Sequence, residues 1–219
     1  MTANAAAAWR ASLRGADLTR QLLSFARRQA LAPSLTDLNG QVGEIAMLLR
    51  RTIPESIAIE ALPHPSPVMT MVDTGQFENA LLNLALNARD AMTQGGNLLV
   101  STGIAELGEA DTAGAEIMPA GRYAEVALRD SGSGMTPEVM ARAFEPFFTT
   151  KPMGAGTGLG LSMVYGFVRQ SGGYVRLSSS PCQGTTVRLL FPLALSAAGH
   201  RRPARRHGQP PPDSRCRGY

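Results

Sequence analysis

Three polar clusters carry residue types that could act together on a phosphate ester. In NLALNARDAM (83–92), Asn83 and Asn87 are four residues apart and share one helix face, and Asp90 lies three residues further along it. Such a row can be a solvated stripe, yet apolar residues flank both asparagines and bring their amides to the edge of a core. An amide oxygen there can take one position on a hard cation such as Mg²⁺, whose other ligands are phosphate oxygens and water. DSGSGM (130–135) sets Asp130 at a strand end, and Gly132 and Gly134 then let the backbone approach a flat ligand. A buried carboxylate accepts from an exocyclic amine and so separates adenine from guanine, although this composition is also common turn chemistry. GTGLGLSMVYGF (156–167) is a glycine-rich turn running into a helix, where backbone N–H groups and the helix dipole can cradle phosphate. It lacks GK[ST] and a directly preceding strand, so it is neither a P-loop nor a dinucleotide fingerprint.

The elements that must position these clusters follow from periodicity. Residues 5–31 read as an amphipathic helix ended by Pro33 and a polar stretch to Gly40. A short helix over 41–51, a strand over 57–62, the proline-rich turn PHPSP at 63–67 and a strand over 68–72 follow, the two strands expected to form a hairpin. Phe77, Leu81, Leu82, Leu84, Ala85, Ala88 and Met92 mark a strong helix over 74–92. Strands are expected at 98–102 and 123–129 around a loop at 106–121, then a helical piece at 137–144 and a glycine-dense loop at 149–160. A helix to about residue 171 and strands at 173–178 and 185–191 close the core. Helices alternating with strand hairpins predict an α/β, two-layer α+β sandwich: a mixed sheet with helices on one face, not a doubly wound parallel sheet.

Length and charge narrow the function classes. The 219 residues suffice for one core with an appendage. The net charge of +4 is an effect of the tail: from Ser196 onward six Arg stand against Asp213 alone, which leaves residues 1–195 at −1. No basic groove for nucleic acid is implied. No apolar run is long enough to span a bilayer and the N-terminus lacks a secretory pattern, so a cytoplasmic protein is expected. Cys182 and Cys216 form no metal or disulfide pattern and are expected to be free thiols. The tail over 196–219 has too few apolar residues to offset its ordering entropy and reads as disordered. Lys151 is the one lysine among 21 basic residues.

Asn-x3-Asn on a helix, then DSGSGM, then FEPFFTTK (144–151), then GTGLGL resembles, in order and spacing, the ATP-binding domain of sensor histidine kinases, in the superfamily shared with gyrase and the MutL repair proteins. The match covers residues 35–193. The resemblance implies an α/β sandwich with ATP between the helices beneath a mobile lid. It implies Asn87 as the Mg²⁺ ligand supported by Asn83, Asp130 as the adenine-binding aspartate, and Phe147 and Phe148 as apolar lid anchors. Thr149, Thr150 and Lys151 then stand where the lid begins, Gly156, Gly158 and Gly160 at its exit and phosphate-facing turn, and Thr185 on the adenine side. The implied cofactor-binding set also contains Asp90, Gly132, Gly134, Met135, Thr157, Leu159 and Leu161, and Asn87 and Lys151 are the catalytic candidates. Many sensor kinases carry Lys or Arg three residues after the Mg²⁺ asparagine. Asp90 occupies that place here, which leaves phosphate neutralisation to Lys151, Arg89 or Mg²⁺.

Residues 12–31 resemble the second of the two dimerisation helices of these kinases; the first, which bears the phosphoacceptor histidine, is not in the sequence. The resemblance thus implies a truncated kinase: a partial dimerisation helix (1–34), an ATP-binding catalytic domain (35–195) and a tail (196–219). It implies ATP and Mg²⁺ as cofactors and, as partners, a histidine-bearing helix, a response-regulator receiver domain and a second copy of the chain. His64, His200 and His207 are poor acceptor candidates, so ATP is expected to bind without efficient autophosphorylation. A gyrase- or MutL-type hydrolase is the competing enzyme class. It needs a general-base Glu four residues before the Mg²⁺ asparagine, where this chain has Asn83. A non-catalytic, nucleotide-gated interaction module is the third reading.

Overall fold

The computed structural model describes residues 31–108, 112–113, 116–152 and 156–194. The expected helix over 5–31, apart from its last residue, and the Arg-rich tail with His200, His207 and Cys216 lie outside them. Four helices are described, α1 (Leu38–Thr52), α2 (Thr74–Ala91), α3 (Pro137–Arg142) and α4 (Gly160–Gln170). Between them run β1 (Ser34–Asp37), β2 (Ile57–Leu62), β3 (Met69–Val72), β4 (Gly96–Leu107), β5 (Thr112–Ala113), β6 (Glu116–Ile117), β7 (Gly121–Asp130), β8 (Tyr174–Ser179) and β9 (Thr185–Pro192).

The main sheet has the order β2-β4-β7-β9-β8, with β2 parallel to β4 and the other pairs antiparallel. It is the mixed sheet that the sequence predicts. Its inner face carries Leu98, Val100, Ala124, Val126, Leu128, Val187, Leu189 and Phe191, which form one core with the buried stripes of α1, α2 and α4. Phe191 is fully buried, with Phe77 of α2 and Phe167 of α4 edge-on or tilted at 6.1 and 5.9 Å. Each such ring contributes about 1.5–3 kcal/mol by burial alone. The outer face is mixed: Arg188 pairs there with Glu125 at 3.2 Å and Arg129 is exposed, while Leu190, Tyr123, Leu107 and Met118 form a second, smaller buried cluster.

Capping fixes where the two long helices begin. Asp37 accepts the amide of Asn39 at 3.1 Å ahead of α1, and Asp73 that of Gln76 at 3.0 Å ahead of α2. Each carboxylate also ties down a neighbouring segment, Asp37 through the Val68 amide and Asp73 through the Ala32 amide, both at 3.0 Å. These bonds hold Asp73 below the usual carboxylate range.

Here the structure corrects one expectation. Strands β2 and β3 do not form a hairpin: β2 joins the main sheet alongside β4, and β3 pairs with β1, a strand that the polar composition of 33–40 concealed. Pro63, Pro65 and Pro67 remove every second N–H along the connection, so no ladder can continue through it. The Asn39 side-chain amide then binds the carbonyls of His64 and Ser66, both at 3.0 Å, and turns the chain away across the start of α1. The 106–121 loop also holds the two-residue ladder β5–β6, too short to register as periodicity.

Candidate functional site

Strand β7 ends at Asp130, opposite Leu98 of β4 and Thr185 of β9. Its side chain is 8% exposed and accepts two backbone amides on Oδ1, Gly132 N at 2.9 Å and Thr185 N at 3.2 Å. Oδ2 takes no donor among the described residues and is the oxygen left for a ligand. Burial raises the Asp130 carboxyl above its ordinary value, and the two amides only partly offset this. Gly184 makes the close packing possible. Its φ is +76°, and a Cβ there would run into the Asp130 carbonyl.

The DSGSGM loop is strapped on both sides. Ser133 N donates to the Ala91 carbonyl at the end of α2 at 3.0 Å, and the Ser133 carbonyl accepts Cys182 N at 2.7 Å. Gly134 packs against the 180–184 turn, and Met135 N donates to Ser179 Oγ at 2.9 Å. Ser179 in turn donates to the Gly184 carbonyl at 2.9 Å and lies 3.1 Å from the Thr185 hydroxyl. It joins the DSGSGM loop to the Gly184–Thr185 turn from a strand end, and no sequence pattern marked it.

One and two turns before Ala91 stand Asn87 and Asn83, half-buried on α2. Both face the first residue of α4: a Cβ on Gly160 would lie 3.5 Å from Asn87 Nδ2 and 3.7 Å from Asn83 Oδ1. The first turn of α4 has no side-chain cap at its start, so its leading amides and dipole point at this corner. Leu159 is fully buried, so only its backbone is offered to a ligand, and Leu161 is half-buried with its side chain packed on the core.

The ends of the 147–158 loop are pinned to each other. Phe147 N donates to the Gly158 carbonyl at 2.9 Å, and the φ of +66° at Gly158 brings its Cα so near Phe147 that a Cβ would sit 2.6 Å from the Phe147 oxygen. Phe147 differs from its expected role as an apolar anchor. It has φ +67° and is 59% exposed, so it anchors through its backbone and not its ring. Phe148 is held from the side by Arg142, whose guanidinium carbon lies 4.2 Å from the ring centroid. Thr150 and Thr157 are exposed, and the Thr157 hydroxyl accepts the Leu159 amide at 3.4 Å.

Lys151 closes the cluster. Its Nζ lies 2.6 Å from Asp90 Oδ2 and 3.4 Å from Asn87 Oδ1. Arg89 binds the other Asp90 oxygen through Nε at 2.9 Å and Nη2 at 2.7 Å. Burial acts against the Asp90 charge, but the hydrogen bonds and charges of Lys151 and Arg89 outweigh it and hold the carboxyl below its ordinary value. Arg89, Asp90, Thr93, Lys151 and Pro152 line an open surface depression of about 500 Å³. Of the residues expected from sequence, Asn83, Asn87, Asp90, Lys151 and Gly160 thus meet on α2 and Gly132 packs on Ala91 at its end, next to Asp130, whereas Met135 and Thr185 gather at Ser179 and Thr150 and Thr157 are exposed.

Residues 72–195, more than half of the chain, match the family model described as histidine kinase-, DNA gyrase B- and HSP90-like ATPase. The chain belongs to that family. Among curated relatives, this family member is 41% identical over 180 residues to the sensor kinase CckA of Brucella abortus, a match covering 82% of this chain and 19% of the relative. With the sensor histidine kinase ZraS of Escherichia coli K12 it shares 28% over 177 residues, covering 80% of this chain and 34% of the relative. It therefore spans about a fifth to a third of the length of these relatives. A solved structure of full-length ShkA in complex with AMPPNP superposes with a TM-score of 0.68 at 25% identity, over 87% of this chain and 38% of the other. The mycobacterial sensor histidine kinase MprB shares the fold, with a TM-score of 0.57 at 24% identity over 74% of this chain and 98% of the other. Among the described residues no helix is long and apolar enough to cross a membrane.

Proposed function

We propose that residues 35–195 are the catalytic domain of a two-component sensor histidine kinase, and that it transfers the γ-phosphoryl group of ATP to a histidine on a dimerisation helix. Residues 1–34 would supply part of that helix and residues 196–219 a tail outside the catalytic fold. The observation that carries the reading is the shared corner of α2 and α4. A nearly buried carboxylate suited to an amine sits at one end, and an amide oxygen, a lysine and uncapped helix amides suited to phosphates sit at the other.

In this reading Asp130 Oδ2 accepts from the adenine amine while Gly132 and Thr185 hold the carboxylate in place. The α4 amides and the Lys151 ammonium face the phosphates and stabilise the charge that spreads over the transferring group. The cluster also suits Mg²⁺, because Asn87 Oδ1 already faces a cation, the Lys151 ammonium, beside the Asp90 carboxylate. Asn87 would hold the metal, which when bound supplies charge neutralisation across the phosphates. Asn83 supports transfer over hydrolysis, since a neutral amide cannot take a proton from water in the place where a general-base carboxylate would stand.

The acceptor is expected outside the described residues. His64 is confined to its own turn, its ring Nδ1 within hydrogen-bond range of the Ser66 amide and carbonyl at 3.2 and 3.0 Å and its amide bonded to Thr102. A receiver domain and a second copy of the chain complete the expected partner set, with the cytoplasm as the compartment. Incubating the purified chain with labelled ATP, Mg²⁺ and a histidine-bearing dimerisation helix tests the proposal. Acid-labile label on the helix is the expected result. Release of inorganic phosphate with no label on the helix would favour the hydrolase instead.

A further inference from the structure

The position three residues after Asn87 carries an acid, and the structure gives that acid an occupation. Asp90 divides its oxygens between two cations, Arg89 on Oδ1 and Lys151 on Oδ2. The Lys151 ammonium is thereby drawn to within 3.4 Å of Asn87 Oδ1. A second positive charge, beside that of Arg89 on α2, is thus supplied to this corner from the 147–158 loop. The lysine stem is confined as well. The backbone of Gly156 passes so close that a Cβ there would meet Lys151 Cδ at 3.1 Å and Thr149 Oγ1 at 2.9 Å.

The pair is built to exchange. Lys151 and Asp90 side chains are each about one-third exposed, 33% and 31%, which puts the bridge in the weak, solvent-screened class. If Lys151 leaves, Arg89 still neutralises Asp90, so no carboxylate is stranded. The cluster also lines the open 500 Å³ depression, where the ammonium is accessible to a larger anion. A phosphate oxygen with undivided charge is a better partner than a carboxylate already shared with a guanidinium.

We propose that Asp90 is a positioning residue: it holds the Lys151 ammonium beside Asn87 as a removable counter-charge, and the phosphate chain of a bound nucleotide takes that ammonium over. The inference rests on the ATP-binding reading above. It assigns Asp90 to lysine placement instead of direct nucleotide contact, so neutralising Asp90 strengthens nucleotide binding instead of weakening it.

Lys151 can be observed alone, because lysine-selective ¹³C,¹⁵N labelling of the full chain yields one side-chain signal. That signal is expected to shift in the free protein on Asp90→Asn. It should move again when AMPPNP with Mg²⁺ is added to wild type, and stay in place with adenosine, which has no phosphates. In Asp90→Asn the AMPPNP affinity should rise about two- to five-fold, as expected for removing an exposed ion pair that competes with the ligand. The proposal is overturned if Asp90→Asn leaves the free-protein signal unchanged, if bound AMPPNP leaves the wild-type signal in place, or if Asp90→Asn weakens AMPPNP about ten-fold. Absence of AMPPNP binding in wild type would instead refute the ATP-binding reading, so the two failures are distinguishable.

Discussion

Replacing Asp130 with asparagine is expected to stabilise the protein without nucleotide and to remove its affinity for ATP. Asparagine keeps the shape of the side chain and an oxygen for the amides of Gly132 and Thr185 at 2.9 and 3.2 Å. It removes a charge from a side chain that is 8% exposed. Burial raises the Asp130 carboxyl above 3.8, so the folded protein holds this proton more tightly than the unfolded chain does. The stability that follows is fully present below about pH 3.8 and is lost as pH rises through the raised folded value. At neutral pH the wild type therefore carries the cost of an ionised buried carboxylate, which asparagine relieves. The melting temperature should rise accordingly, by about 2–4 °C for each 1 kcal/mol relieved in a chain of this size. With adenine bound the balance reverses, because an asparagine NH₂ would face the adenine amine. Losing a charge-assisted bond, about 1.5–3 kcal/mol, and burying an unpaired donor, about 1–3 kcal/mol, weakens ATP by roughly 10²- to 10⁴-fold. Thermal melts from about pH 5 to pH 8, paired with calorimetric titration of AMPPNP, measure both effects. The reasoning fails if the variant binds AMPPNP within about three-fold of wild type. It also fails if the variant melts several degrees lower and keeps the wild-type pH dependence.

Three further substitutions probe the frame around the site. Gly184→Ala forces a Cβ toward the Asp130 carbonyl at φ +76°, and should cost about 2–5 kcal/mol and lower the melting temperature by about 5–15 °C; an unchanged melt would mean that the end of β7 yields freely. Phe191→Ala empties the space between Phe77 and Phe167 and should reduce urea stability by about 3–5 kcal/mol, whereas a loss under about 1 kcal/mol would contradict the packing described. Asn83→Glu puts a carboxylate beside the start of α4, and steady-state ATPase activity should rise with nucleotide binding retained; no rise with binding intact would contradict the role given to position 83.

Local patterns carried most of the fold into view. Helix α2 was legible because its stripe from Phe77 to Ala88 is unbroken and Asp73 caps it, and α4 because the glycines of GTGLGL run straight into an apolar stripe. The asparagine face of α2 also follows from helical spacing alone, and its two asparagines meet Gly160 as that face requires. What escaped depends on contacts distant in sequence. The partners of β2 and β3 are set by Asn39 and by three prolines, not by alternation within the strands. Ser179 touches Met135 across 44 residues, and Lys151 touches Asp90 across 61. Neither separation leaves a periodic trace. The resemblance implied Phe147 as an apolar lid anchor, and the backbone conformation that exposes its ring, φ +67° and 59% exposure, leaves no mark in the sequence.

The proposed nucleotide pocket lies between α2, α4 and the end of β7. Isothermal titration of the 219-residue chain with AMPPNP in the presence of Mg²⁺ tests it most directly. A saturable one-to-one heat that guanosine triphosphate does not reproduce, and that Asp130→Asn abolishes, is the predicted result. No heat with AMPPNP, or equal heat with both purines, would contradict it.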